Sequence, residues 1–166
     1  MHKKLNTTFK KNNDNIEIIT HALEGGHEDH DACNLIVKKI GKDFKINNIF
    51  CFFMYNSFKT NLFYYKVFNP IKKFGPLNEI KFFSKLSERL FLISLLFKYR
   101  SQIIIWIGLY PFIIYHYLFK GYNLLQRLKY NEKFNKPHKG TLLYEKRKFC
   151  SYVNFKRNAN LFLNND

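Results

Sequence analysis

Residues 103–119 read IIIWIGLYPFIIYHYLF, with no Asp, Glu, Lys or Arg in a chain where 24% of residues carry such a charge. As one helix the stretch would reach about 26 Å at 1.5 Å per residue. That is just short of the ~30 Å hydrocarbon core of a bilayer. Ser101 and Gln102 can be drawn in at one end, while Lys98, Arg100 and Lys120 snorkel to the headgroups. Trp106, Tyr115 and Tyr117 lie toward the two ends, where amphipathic rings settle. Gly108 and Pro111 weaken a helix in water but are tolerated in a membrane, where Pro111 should kink it. A helix apolar on every face otherwise needs a large surrounding protein, more than 166 residues supply. Residues 103–119 are therefore read as a transmembrane helix. The fold class that follows is mainly α, a single-pass α-helical membrane protein with flexible polar ends.

Outward from that run, residues 79–102 read as an amphipathic interfacial helix. Ile80, Phe83, Leu86, Leu90, Ile93 and Phe97 recur at steps of three or four, with Lys81, Lys85 and Glu88 opposite. Residues 49–78 are an aromatic-rich segment closed by a Pro/Gly loop at Asn69-Pro70 and Gly75-Pro76. Its apolar core, Ile49 to Tyr55, fits a buried strand, a helix turn or an interfacial patch equally well. Residues 1–48 read as a polar, largely disordered arm, with one short helix from Asp31 through Ile40 stopped by Gly41. Residues 120–166 form a basic tail. In it Leu124, Leu125 and Leu128 suggest a surface helix ending at Pro137, and Asn158 to Asp166 is expected to fray.

The net charge of +16 favours anionic partners: phospholipid headgroups, nucleic acid or an acidic protein. Residues 1–102 and 120–166 each carry +8. Within about 20 residues of the run, six cations follow and four precede, which weakly favours a cytosolic C-terminus. The abundance of Lys, Asn, Phe, Ile and Tyr, all with A/T-rich codons, points to nucleotide bias and dilutes the meaning of any single Lys or Phe. Cys33, Cys51 and Cys150 are odd in number and widely spaced, so they form neither a disulfide framework nor a recognisable zinc motif. Met1 to Asn15 is too polar for a secretory signal.

His21, His27, His30 and Cys33, with Glu24, Glu28, Asp29 and Asp31 among them, form the one cluster that resembles a site. Three of these ligand types at a spacing of three could converge on zinc. Gly25-Gly26 and the absence of an H-E-x-x-H motif favour a solvated loop instead, so no metal, cofactor or catalytic residue is assigned. His116, inside the run, reads as neutral. Lys59, Phe63, Tyr64, Tyr65, Lys66 and Phe68 interleave cations and rings as single-strand-binding surfaces do. The expected function is a non-enzymatic accessory or structural subunit of a membrane complex. Its partners would be a bilayer with anionic headgroups and a larger membrane protein. The alternative is a basic RNA- or ribosome-associated protein whose apolar run is buried in an assembly.

Overall fold

The frame is set by two parallel strands, which cannot be joined by a hairpin and need a crossover. Strand β1 (Ile18–His21) pairs with β2 (Ile49–Phe52) in parallel register, Ile18 opposite Ile49. Helix α1 (Glu28–Phe44) runs between them. The computed structural model describes residues 16–60, 65–71, 79–98, 107–129 and 134–164. Strand β6 (Tyr122–Arg127) lies antiparallel to β2, and β5 (Glu79–Phe83) lies antiparallel to β6, completing a mixed sheet in the order β1-β2-β6-β5. A separate two-stranded ribbon joins β3 (Tyr55–Asn56) to β4 (Lys66–Val67). The remaining helices are α2 (Leu86–Leu96), α3 (Tyr110–Tyr115), α4 (Leu143–Lys146) and α5 (Tyr152–Asn164). A π-helical turn, His116–Lys120, continues α3.

This mixed α/β architecture corrects the single-pass membrane reading, its localisation and its transmembrane helix. Among the described residues no helix is long and apolar enough to cross a membrane. Residues 103–106 lie outside the described part. From Ile107 onward the apolar run is cut into short pieces. Pro111 sits at the start of α3, where its missing N–H costs nothing, so it begins a helix instead of kinking one. Gly121, at φ 62°, ends the π turn and lets the chain reverse into β6. The run also has a buried side and an open one. Leu109, Ile113 and Tyr117, spaced by four, pack with Tyr55, Val67 and Leu143, whereas Ile107, Tyr115, Leu118 and Phe119 are exposed. Only one face needed covering, and this chain can cover it.

The flanking expectations change for a related reason: each segment finds a partner distant in sequence. Residues 79–83 are an edge strand because Ile80 pairs with Leu125 and Phe83 with Tyr122, which leaves only Leu86–Leu96 for the helix. The Leu124-Leu125 stretch is a central strand, not a surface helix, with Leu124 and Gln126 buried. The polar N-terminal arm supplies β1 and α1 from residue 18 onward, and the C-terminal segment is helical through Asn164. Helix α1 passes through Gly41. Lys45 takes the left-handed cap at φ 56°, and the Ile46 N–H closes on the Gly41 carbonyl at 3.0 Å.

Replacing Leu109 or Ile113 by Ala should cost about 2–5 kcal/mol in urea unfolding, as deletions of buried methyl groups do. Phe119→Ser, on the open side, should change stability by less than about 0.5 kcal/mol. Equal effects at the three positions would contradict the one-sided packing of this run.

Candidate functional site

The turn from β1 into α1 carries Glu24-Gly25-Gly26-His27, and it is not a solvated loop. Asp31, in the first turns of α1, folds back onto it. One carboxylate oxygen accepts from the Glu24 N–H at 2.9 Å and the Gly25 N–H at 3.1 Å, and the other accepts from the Gly25 N–H at 3.1 Å. Glu24 in turn reaches the exit of β2, accepting from the Met54 N–H at 2.7 Å and the Asn56 side-chain amide at 3.1 Å. Gly25 needs its left-handed φ of 68°, and a Cβ on Gly26 would overlap the Tyr55 carbonyl. The two glycines are there for close approach, where the sequence pointed to a solvated loop.

Both carboxyls are buried, and desolvation is the main cause that raises the pKa of each, against the opposing pull of the N–H groups they accept from. Glu24 is pushed up to about 8, with the neighbouring Asp31 charge adding to the effect. Asp31 is pushed up to about 7, with Glu28 adding to it. Above them the histidines stack. The rings of His21 and His30 lie parallel at 4.0 Å, and His27 is 5.3 Å from His30. Burial, followed by the nearby His21 and His27, lowers His30 to about 4, and burial lowers His21 as well. His27 caps α1, its Nδ1 accepting from the Asp29 N–H at 3.2 Å. Cys33 is exposed on the helix. No group of three or more His, Cys, Asp or Glu side chains among the described residues is arranged to hold a metal ion. His116, the other singled-out histidine, is buried with Nε2 2.6 Å from the Tyr122 carbonyl, and burial lowers its pKa.

The aromatic and basic segment divides. Tyr65 and Phe68 turn inward, Tyr65 against Phe112 and Phe68 against His116 and Tyr117; Phe63 and Tyr64 lie outside the described residues. Lys59 and Lys66 instead stand at a ring the sequence reading passed over. Their ammonium groups are 5.4 and 5.3 Å from the centre of the Phe58 ring. Phe58 is positioned by Asn56, whose side-chain oxygen accepts from the Phe58 N–H at 3.2 Å while its amide holds Glu24. Facing Phe58 is the ring of His138 at 5.3 Å. Together with Lys59, Ile71, Lys136, Pro137 and Lys139 these residues line an open cleft of about 820 Å³. Three lysines and no acidic side chain line it. Lys136 is already engaged, 3.2 Å from Glu145, which leaves Lys59 and Lys139 as the cations available to a ligand.

Lys59 has φ 53° in the turn after β3. That conformation costs an ordinary L-residue roughly 1–2 kcal/mol relative to glycine. Within the fold the lysine side chain meets the Phe58 ring.

The raised carboxyl values impose a sign on stability. The folded chain retains protons at Glu24 and Asp31 that the unfolded chain releases at the ordinary values of 4.5 and 3.8. Their contribution therefore falls as pH rises toward about 7 for Asp31 and about 8 for Glu24. His30 acts oppositely: its neutral form is favoured in the fold, and its contribution is lost as pH drops from 6.5 toward about 4. The melting temperature should decline between about pH 6.5 and pH 8 and level off above that, and Glu24→Gln should make the decline shallower even if it lowers stability at the acid end. An unchanged slope in the variant would remove Glu24 as the group responsible. Comparison with protein-family models, curated proteins and solved structures finds no match to this chain, so the geometry alone carries the functional reading.

Proposed function

We propose that this chain is a non-catalytic binding protein for single-stranded nucleic acid, which it holds in the cleft between the turn after β3 and residues 136–139. The observation that carries the reading is the juxtaposition of the Phe58 ring with Lys59 and Lys139 along one open cleft, with Lys66 also at that ring. A base offers a flat π face and its phosphate a negative charge, and sites for single strands combine these two complements. Codon bias scatters lysines along a chain, but it does not gather Phe58 and Lys139 from opposite halves of the sequence. The net charge of +16 adds a long-range attraction that raises the encounter rate with any polyanion. The left-handed Lys59 fits the same reading, since a costly backbone position kept by a cation suits a contact made outside the fold. The accessory-subunit reading, by contrast, depended on a membrane span, and among the described residues no helix is long and apolar enough to cross a membrane.

Binding to a fluorescein-labelled oligouridine separates the parts. Phe58→Ala should weaken binding by about 1–3 kcal/mol with little change in salt dependence, because stacking is lost and charge is kept. Lys59→Gly with Lys139→Ala should flatten the slope of log affinity against log salt by about 0.7 for each phosphate contact removed. Lys59→Gly alone should stabilise the fold by about 1 kcal/mol while weakening binding. Absence of saturable binding at about 0.1 M salt, or indifference to Phe58→Ala, would refute the proposal.

A further inference from the structure

Helix α2 is apolar nearly all round. Leu86, Leu90, Phe91, Leu92, Ile93, Leu95 and Leu96 are interrupted only by Ser87, Glu88, Arg89 and Ser94, yet none of its residues is buried. Leu92, Ile93 and Leu96 pack partly against the core cluster. On the flank beside them, Leu86, Leu90 and Phe97 fall on one stripe at spacings of four and seven, and they are 59%, 51% and 59% exposed. Neighbouring elements add further exposed apolar side chains. Phe83 precedes α2 on edge strand β5, and Leu118 and Phe119 project from the π turn that packs beside it. An exposed apolar area of this kind marks a contact surface. Its polar neighbours are cations: Lys81, Lys85, Lys98 and Lys120 are all exposed, against the two acids Glu79 and Glu88.

We infer that this surface lies flat on an anionic lipid headgroup layer, with the leucine and phenylalanine side chains entering the acyl boundary and the lysines paired with lipid phosphate or carboxylate groups. The contact is in the plane of the membrane surface and crosses nothing. Charge selects the occupant. A second copy seated face to face would bring two sets of four exposed lysines together, whereas an anionic lipid surface neutralises one set and accepts the apolar side chains beneath it. Edge strand β5, with Ile80 and Phe82 about half exposed, also carries a lysine, Lys81, at its centre, a device that discourages strand-to-strand pairing. This surface is separate from the Phe58 cleft and does not depend on the nucleic-acid reading.

Co-sedimentation of the full chain with vesicles tests the inference. The protein should pellet with phosphatidylcholine vesicles containing phosphatidylserine, release as salt is raised, and stay in solution with phosphatidylcholine alone. Leu86→Ser with Leu90→Ser and Phe97→Ser should lower the partition by about tenfold or more, while Lys59→Gly with Lys139→Ala should leave it unchanged. Lys85→Glu with Lys98→Glu, at exposed positions, should abolish it and supplies the readout if the triple variant does not fold. Equal binding to both vesicle types, retained binding by the charge-reversed variant or a folded triple variant, or a concentration-dependent dimer dissolved by the triple substitution would overturn the inference.

Discussion

The hydrogen bonds that Asp31 and Glu24 make across the β1–α1 turn hold the rest of this structure in register. Asp31 closes the turn on itself, and Glu24 ties that turn to the residues leaving β2. A parallel strand pair has no hairpin to set its register, so the crossover and its end contacts must do so. Through Asn56 the same connection reaches Phe58 and fixes the floor of the cleft. The α4 segment is docked by it as well, since the Leu143 N–H donates to the Gly25 carbonyl at 2.8 Å. A turn that four separate elements rely on leaves no room for a side chain at Gly26.

Two acids beside each other in a dry site would repel strongly if both were ionised, and burial already disfavours the charged form of each. The raised values of both groups ease this repulsion, and the backbone N–H groups that Asp31 accepts from offset what charge it carries. The stack of His21 and His30 above them follows the same logic, because an imidazolium there would be both desolvated and next to another ring of like tendency. The N-terminal cluster is thus a structural connection made from groups more familiar in active sites. Its perturbed values reflect burial and arise at a junction of strands and helix, not in an open cleft.

The open features lie elsewhere and share one property, cations bordering apolar or aromatic surface. The Phe58 cleft is an open hollow of about 820 Å³ with an aromatic ring and lysines in its lining. The α2 face is broad, made of aliphatic and phenyl groups on a helix and an edge strand. Shape therefore separates two surfaces that composition, rich in Lys and Phe throughout, would treat alike.

The sequence by itself determined the chain's charge, a helix within Glu28–Phe44, and the presence of an apolar run near residues 103–119. Each of these is local: composition or a 3.6-residue period. Only the tertiary structure decided that Ile80 faces Leu125, that Ile18 faces Ile49, and that Phe58 meets His138. Strand pairing is specified jointly by two segments, and neither segment alone shows a period that separates it from a short helix. The apolar run was misread for the same reason. Hydropathy counts side chains without saying which face they lie on, and Leu109, Ile113 and Tyr117 acquire a buried face only because β3, β4 and α4 come to cover them. Glu24 and Asp31 were legible as acids in a polar stretch. Their burial followed from backbone N–H groups of the turn and of the β2 exit arriving at the carboxylates, an arrangement that exists only after the sheet has formed.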